Sequence, residues 1–250
     1  MIELFDGERV DEVNDKIKLI QKTDGLTFGT DALLLAAYVG CRDLKGLELG
    51  SGSGIISFLL LTRGKLSHAT ALEVQESYAT LTERNARLNE LEGKMDIINL
   101  DLREFRCESD FDIVYTNPPY MTVSGGAANR LSSKNTARHE VMGDIRDFCL
   151  CAKRTLKFGG RFLVVYRPDR LTALLSAMSD SSLEAKRITF VHADTDSESS
   201  MVLIEGRLGG KCGAKLTPPL IIYTDSSHSE YSSDMNYIME NGSFTPEYKR

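Results

Sequence analysis

At 250 residues, 42% hydrophobic and 26% charged, the chain has the composition of a soluble globular protein with room for one substantial core. It offers no apolar leader, no stretch long enough to span a membrane, and five scattered cysteines (Cys41, Cys107, Cys149, Cys151, Cys212) without a C-x-x-C pair, which sets aside membrane, disulfide-framework and zinc classes. A net charge of −6 argues mildly against a nucleic-acid partner, and the cysteine usage fits a reducing cytoplasm.

Residues 1–24 read as an N-terminal extension. The chain then passes through Phe28, Gly29, Thr30 and Asp31 into the apolar run 32–39. This predicts a helix with Thr30 as its N-cap and Asp31 at the positive end of the dipole. A helix N-terminus behind a glycine can also bind a carboxylate, such as a methionine tail, although capped helices are common.

Residues 47–54, Leu-Glu-Leu-Gly-Ser-Gly-Ser-Gly, precede an apolar run from Ile55, the order strand, glycine loop, helix. Gly50, Gly52 and Gly54 let the backbone turn sharply and come close to a ligand. Ile55 stands where a dinucleotide fingerprint needs its third glycine, and no Walker lysine follows. From Glu48 onward the spacing resembles the Glu-x-Gly-x-Gly-x-Gly loop of class I methyltransferases.

The strand 69–74 carries Glu73 near its end, roughly 20 residues past the loop, where a carboxylate can accept both ribose hydroxyls of a nucleoside. A solvated strand-end acid is the plain alternative. The helix 75–91 sets Tyr78, Leu81, Leu88 and Leu91 on one packing face. A third strand, 97–102, ends at Asp101 and Leu102. Asp101 is placed to accept the amino group of an adenine, with the Leu102 N–H near the ring, or else to cap the next turn.

The strand 111–115 runs into Asn117-Pro118-Pro119-Tyr120. Each proline biases the residue before it toward extended backbone, so the loop is stiff and its carbonyls can point outward. A planar conjugated amine is a poor nucleophile. Two acceptors, Asn117 Oδ1 and the Pro118 carbonyl, can take its two N–H bonds and hold it for attack while Tyr120 stacks on the ring. The run resembles the (Asn/Asp/Ser)-Pro-Pro-(Tyr/Phe) signature of amino-group methyltransferases that use S-adenosyl-L-methionine; a proline-rich turn is the plain alternative. Repetition of strand, loop and helix predicts an α/β fold with a doubly wound, mostly parallel seven-stranded sheet. Ligands of such sheets gather at the carboxyl ends of the strands, where Gly50, Glu73, Asp101 and Asn117 all fall.

Residues 121–143 lack apolar periodicity and read as a substrate lid that holds Arg130, Lys134, Arg138 and His139. The attacking amine needs no base beforehand, so His139 is read as structural or phosphate-contacting. Between Arg130 and Arg170 ten Lys/Arg stand against four Asp/Glu, a local +6 that leaves −12 elsewhere. That is either a phosphate footprint or an ordinary solvated helix face. A helix over 144–156 closed by Gly159-Gly160, a strand over 161–166 and a helix from Pro168 to Met178 follow. A hairpin of 188–193 with 201–208, an extended segment over 216–223 and a loosely held tail, 224–250, complete one domain spanning 1–250.

Over most of its length the chain resembles the bacterial tRNA adenine-N6 methyltransferases, which modify the adenosine beside the anticodon of a valine tRNA. The resemblance rests on Ile20-Gln21, Gly25 and the run 28–32, the 48–54 loop, residues 117–120, Ala137-Arg138-His139-Glu140, and Pro218-Pro219-Leu220-Ile221 with Tyr223. It implies S-adenosyl-L-methionine as cofactor, with Phe28, Gly29, Thr30 and Asp31 at its methionine end and the loop from Glu48 through Gly50, Gly52 and Gly54 along its backbone. Glu73 would meet the ribose, and Asp101 and Leu102 the adenine. Asn117, Pro118 and Tyr120 would hold the target base, with tRNA on Arg130, Lys134, Arg138 and His139. A monomer without metal or membrane partner is expected. Protein-glutamine and DNA-adenine methyltransferases share parts of the pattern. The first carries a helical substrate domain before the methionine-binding region, for which about 25 residues leave no room, and the second needs a recognition domain with its own core.

Overall fold

A computed structural model describes residues 4–23, 28–40, 44–119 and 143–249. Two strands come first, β1 (Glu8–Asn14) and β2 (Ile17–Lys22), followed by α1 (Thr30–Tyr38). Next are β3 (Leu44–Leu49), α2 (Ile55–Thr62), β4 (Leu66–Glu73), α3 (Glu76–Leu88), β5 (Met95–Asn99) and β6 (Phe111–Thr116). After residue 143 run α4 (Ile145–Thr155), β7 (Leu156–Tyr166), α5 (Leu171–Asp180), β8 (Leu183–His192) and β9 (Ser199–Leu208). The last elements are β10 (Lys215–Leu216), β11 (Leu220–Ile221) and α6 (Ser233–Asn241).

The main sheet runs β10-β8-β9-β7-β6-β3-β4-β5, with β11 also on β8. Strands β5, β4, β3, β6 and β7 are mutually parallel; β9 lies antiparallel to both β7 and β8. This is the doubly wound, mostly parallel α/β sheet with an antiparallel hairpin that the sequence predicts. The strand count rises from seven to nine because the extended segment 216–223 adds β10 and β11 beside β8. Pro218-Pro219 divides it into two pieces, since proline has no N–H to place in a ladder.

Strand alternation sends neighbouring side chains into two cores. Ile113, Tyr115, Leu163, Val165 and Leu203 pack with α1, α2 and the C-terminal residues. Val114, Phe162, Val164, Val202 and Ile204 pack with α4 and α5 on the opposite face. Helix α2 is buried from Ile55 through Leu61, which explains a run apolar on every side.

Four local expectations are corrected. Gly29, not Thr30, occupies the cap position of α1, and no side chain caps that helix. Helix α4 ends at Thr155, and Gly159-Gly160 lies within β7, where the pairing with β6 shifts register; the glycines serve an irregular strand and do not stop a helix. The helix begins where the sequence predicts, with Asp144 and Asp147 forming a reciprocal capping box. Residues 8–22, read only as an extension, form an antiparallel hairpin held on α3 by Asn85 and Asn89 through the backbone of Ile20 and Lys18.

The tail is likewise packed. Phe244 and Tyr248 are 1% and 2% exposed, and Phe244 meets Tyr38 edge-on with ring centres 5.2 Å apart. Arg187, buried in β8, donates to the carbonyls of Tyr248 (3.0 Å) and Tyr38 (2.6 Å) and to Glu205 (2.6 Å). The segment is polar in composition but places Met235, Ile238, Phe244 and Tyr248 in the core, which average polarity conceals.

Candidate active site at the carboxyl edge of the sheet

The chain leaves β3 for β4 on one side and returns to β6 on the other, so a crevice opens between the ends of β3 and β6. Thr116 Oγ1 donates to the Leu49 carbonyl at 2.8 Å and ties the two strand ends together.

Immediately past β3, Gly50, Gly52 and Gly54 all have positive φ (69°, 56° and 82°), which only glycine adopts without strain. The N–H groups of Gly50 and Ser51 both donate to the Leu72 carbonyl, at 2.9 and 3.0 Å. A Cβ on Gly54 would stand 2.7 Å from Thr82 Cγ2 and 2.9 Å from Phe58 Cζ, whereas one on Gly52 would meet nothing within 4 Å. Gly54 therefore closes the loop onto the helices behind it, and Gly52 faces open space. Thr82 and Asn85 of α3 hold the loop from behind by donating to the carbonyls of Gly52 and Ser53. Neither residue was singled out in the sequence, where both look like polar interruptions of a helix.

Glu73 is 2% exposed and accepts from the Gly52 and Gln75 N–H groups, each at 2.9 Å. A carboxylate has about four acceptor sites, so two are left. Asn99 donates to the carbonyls of Glu73 and Val74 and sets the end of β4 against β5.

Glu48 departs from the expectation that it contacts a cofactor directly. Leu47 and Leu49 face the α4 core, so Glu48 points the other way, beneath the first turn of α2. It is 1% exposed and accepts from both the N–H and the hydroxyl of Ser57, whose Oγ is 2.6 Å from Tyr115 Oη. Burial pushes its carboxyl up to about 8, against the Ser57 hydrogen bonds and helped by the charge of Glu73. Glu48 braces the glycine loop from behind.

Asp101 adopts the turn-capping arrangement. It accepts from the Arg103 N–H at 2.8 Å and from the Arg103 guanidinium, which holds its carboxyl below the usual range. Leu102 beside it is buried, and its carbonyl accepts from Arg154.

At the end of β6, Asn117 Nδ2 donates to Asp31 Oδ2 at 2.7 Å. A carboxylate only accepts, so this bond sets the amide's orientation: nitrogen toward α1, oxygen away. Asn117 Oδ1 is buried and has no hydrogen-bond partner among the described residues, and the same is true of Ser51 Oγ in the glycine loop. Unpaired buried acceptors are uncommon and each calls for an explanation. Two of them lie at this one edge. Asp31 also accepts from the Ala32 N–H, and Gln21 Oε1 accepts from the Phe28 N–H, which fixes the approach to α1. A cleft of about 740 Å³ continues from Thr30 and Asp31 past Arg167, Asp169 and Glu198 to Met201. Tyr120, Arg130, Lys134, Arg138 and His139 lie outside the described residues.

Comparison with known proteins decides the family: residues 22–191 match the methyltransferase small domain. The chain belongs to that family. It is 28% identical over 179 residues to the tRNA1(Val) (adenine(37)-N6)-methyltransferase of Phocaeicola vulgatus, covering 70% of this chain and 74% of that protein. The same activity is named for a relative from Aeromonas hydrophila, 27% identical over 187 residues and matched across 74% of this chain and 78% of its own length. Among solved structures, one described as a predicted O-methyltransferase from Agrobacterium tumefaciens is similar, with a TM-score of 0.69 at 19% identity, covering 86% of this chain and 98% of that one. These likenesses agree with the class I methyltransferase fold seen here.

Proposed function

We propose that this chain transfers the methyl group of S-adenosyl-L-methionine to the N6 amino group of an adenosine in tRNA, beside the anticodon of a valine tRNA. It would act in the cytoplasm as a single-domain monomer. Support comes from the family, from the activity named for its relatives, and above all from Asn117 Oδ1, an acceptor held open at the strand end by the bond to Asp31.

The residues present fit the cofactor. Among the described residues Gly52 leaves its outer face bare and Ser51 Oγ lacks a partner, and Glu73 keeps acceptor sites for two ribose hydroxyls. Gly50, Gly52 and Gly54 would lie along it, and Phe28, Gly29, Thr30 and Asp31 would receive its methionine end. Asp101 and Leu102 would meet the adenine, Asp101 sharing its carboxylate with Arg103. When bound, the cofactor supplies a methyl group already activated on a sulfonium.

The protein's part is then position. Asn117 Oδ1 and the Pro118 carbonyl take the two N–H bonds of the target amine, hold its nitrogen and favour pyramidalisation. A base inside a structured RNA must leave its stack to arrive there, and Tyr120 replaces the lost stacking partner. The excess proton becomes acidic once the new N–C bond has formed and departs to water. Arg130, Lys134, Arg138 and His139 would contact RNA phosphates. The test is methyl transfer from labelled cofactor into total RNA, DNA and protein of a strain lacking this gene, followed by mapping of the modified position. Label in a single tRNA adenosine is expected; label confined to DNA or to a protein glutamine would overturn the reading.

A further inference from the structure

The acidic character of the chain raises a question for any RNA partner: where do phosphates bind? Apart from the lid residues proposed above, the described part of the carboxyl edge offers phosphates little, since its cleft sets Asp31, Asp169 and Glu198 against Arg167, and Arg167 is paired with Asp169. The opposite edge differs. A groove of about 490 Å³ there joins the start of β7 to the end of β9 and to β8. It is lined by Lys186, Arg207 and Lys211 and by no carboxylate. Lys211 is exposed. Arg207 spends only Nε, on the Gly159 carbonyl at 2.9 Å, and its two Nη groups have no partner among the described residues. Glu184 stands opposite Arg207 in the β8–β9 pairing, and Glu205 is bound to Arg187.

Phe158 stands in this groove 87% exposed, well beyond the other large apolar side chains among the described residues. Its ring lies over Gly209, where a Cβ would come within 2.3 Å, and Gly209 has φ +67°. A glycine turn thus seats an exposed phenyl ring beside two exposed cations, Arg207 and Lys211, in a chain of net charge −6, with Lys186 buried behind them and bonded to the Gly213 carbonyl. Cations that neutralise phosphates beside an aromatic ring that can stack on a base make the combination used to hold RNA.

We infer that this groove is a second RNA-binding surface, on which Lys211 and Arg207 meet phosphates and Phe158 packs against the nucleotide between them; the inference rests on the tRNA reading above. Val164 of β7 pairs with Thr116, the residue before Asn117, and Phe158 lies six residues earlier on the same strand. At about 3.3 Å per residue the groove is roughly 20 Å from the methyl-transfer edge. An RNA that reaches both must extend well past its target loop, so the groove selects for a large folded RNA.

The test compares wild type with Phe158→Ala and Lys211→Gln, two exposed side chains, with melting temperatures measured alongside and expected to change little. Binding of unmodified full-length tRNA is followed by fluorescence anisotropy over a salt series. The combined variant is expected to weaken binding about ten-fold or more, and Lys211→Gln to lower the slope of log affinity against log salt by about one. Methyl transfer supplies the second arm. kcat/KM on full-length tRNA should fall in parallel with kcat retained, and the defect should vanish on the shortest RNA hairpin that is still methylated. Unchanged tRNA affinity, or equal loss on tRNA and hairpin, overturns the inference. Failure of the function reading looks different: the wild type then binds tRNA, and the variants still lose affinity, but no methyl group enters it.

Discussion

Asn117→Ala separates a catalytic amide from a structural one, because the structure predicts a large loss of turnover with little change in stability. The substitution removes a hydrogen bond to the Asp31 carboxylate, about 1.5–3 kcal/mol for a bond to a charged group. It also removes a buried oxygen without a partner, an arrangement that costs about 1–3 kcal/mol. The two nearly cancel, so the melting temperature should move by no more than about 4 °C. Turnover has no such compensation, because the Pro118 carbonyl remains but one of two acceptors on the reacting amine is gone. Loss of one preorganised polar contact at a reacting centre costs about 10²–10³ in rate. The assay is single-turnover methyl transfer with cofactor bound beforehand, beside calorimetry of the cofactor, whose affinity should change little. A near-normal rate in the folded variant would show that the amine is held elsewhere. A large fall in melting temperature would make the amide a structural residue.

Glu73→Ala should weaken cofactor binding by roughly 1–3 kcal/mol in calorimetry, and unchanged affinity in a folded variant would remove Glu73 from the site. Gly54→Ala should destabilise the fold by about 1–3 kcal/mol, since its Cβ meets Thr82 and Phe58, while Gly52→Ala should cost less stability and chiefly weaken the cofactor; equal melting temperatures would refute the distinction. Glu48 is raised in the folded state, so its contribution to stability is full below the unfolded carboxyl range and is lost as pH rises toward about 8. Between pH 5 and 8 the wild type should lose up to about 4 kcal/mol relative to Glu48→Gln, read as converging or crossing denaturation midpoints, and parallel pH profiles would count against a protonated Glu48. Phe244→Ala should cost about 3–5 kcal/mol in denaturant unfolding, which a loosely held tail would not show.

Much of the fold could be read because doubly wound sheets announce themselves locally. Each strand of the parallel half is an apolar run closed by a chemically distinctive residue, and α2 and α3 follow with clear helical patterns. What escaped reading depends on contacts between distant segments. The β1–β2 hairpin is polar on its outer positions and finds its packing surface on α3 and α2. Gly159-Gly160 has the look of a helix stop, yet α4 gives way directly to β7 and the glycines absorb a shift in strand pairing. The tail's serines and aspartates outnumber its apolar residues, but Met235, Ile238, Phe244 and Tyr248 enter the core that also holds Tyr38.

The site shows the same division between what is local and what is relational. Glycines, Glu73 and Asn117 are legible because loop geometry and strand-end position constrain them residue by residue. Glu48 is legible from strand alternation: with Leu47 and Leu49 facing one core, the residue between them must face the other. The bond from Asn117 to Asp31 spans 86 residues and leaves no trace in either segment alone. Yet it decides the chemistry, since an amide turned the other way would offer N–H bonds to an amine that needs acceptors. The glycine loop and the strand end set where the two substrates meet. Asp31, from a helix that precedes both, sets which atom of Asn117 the amine encounters.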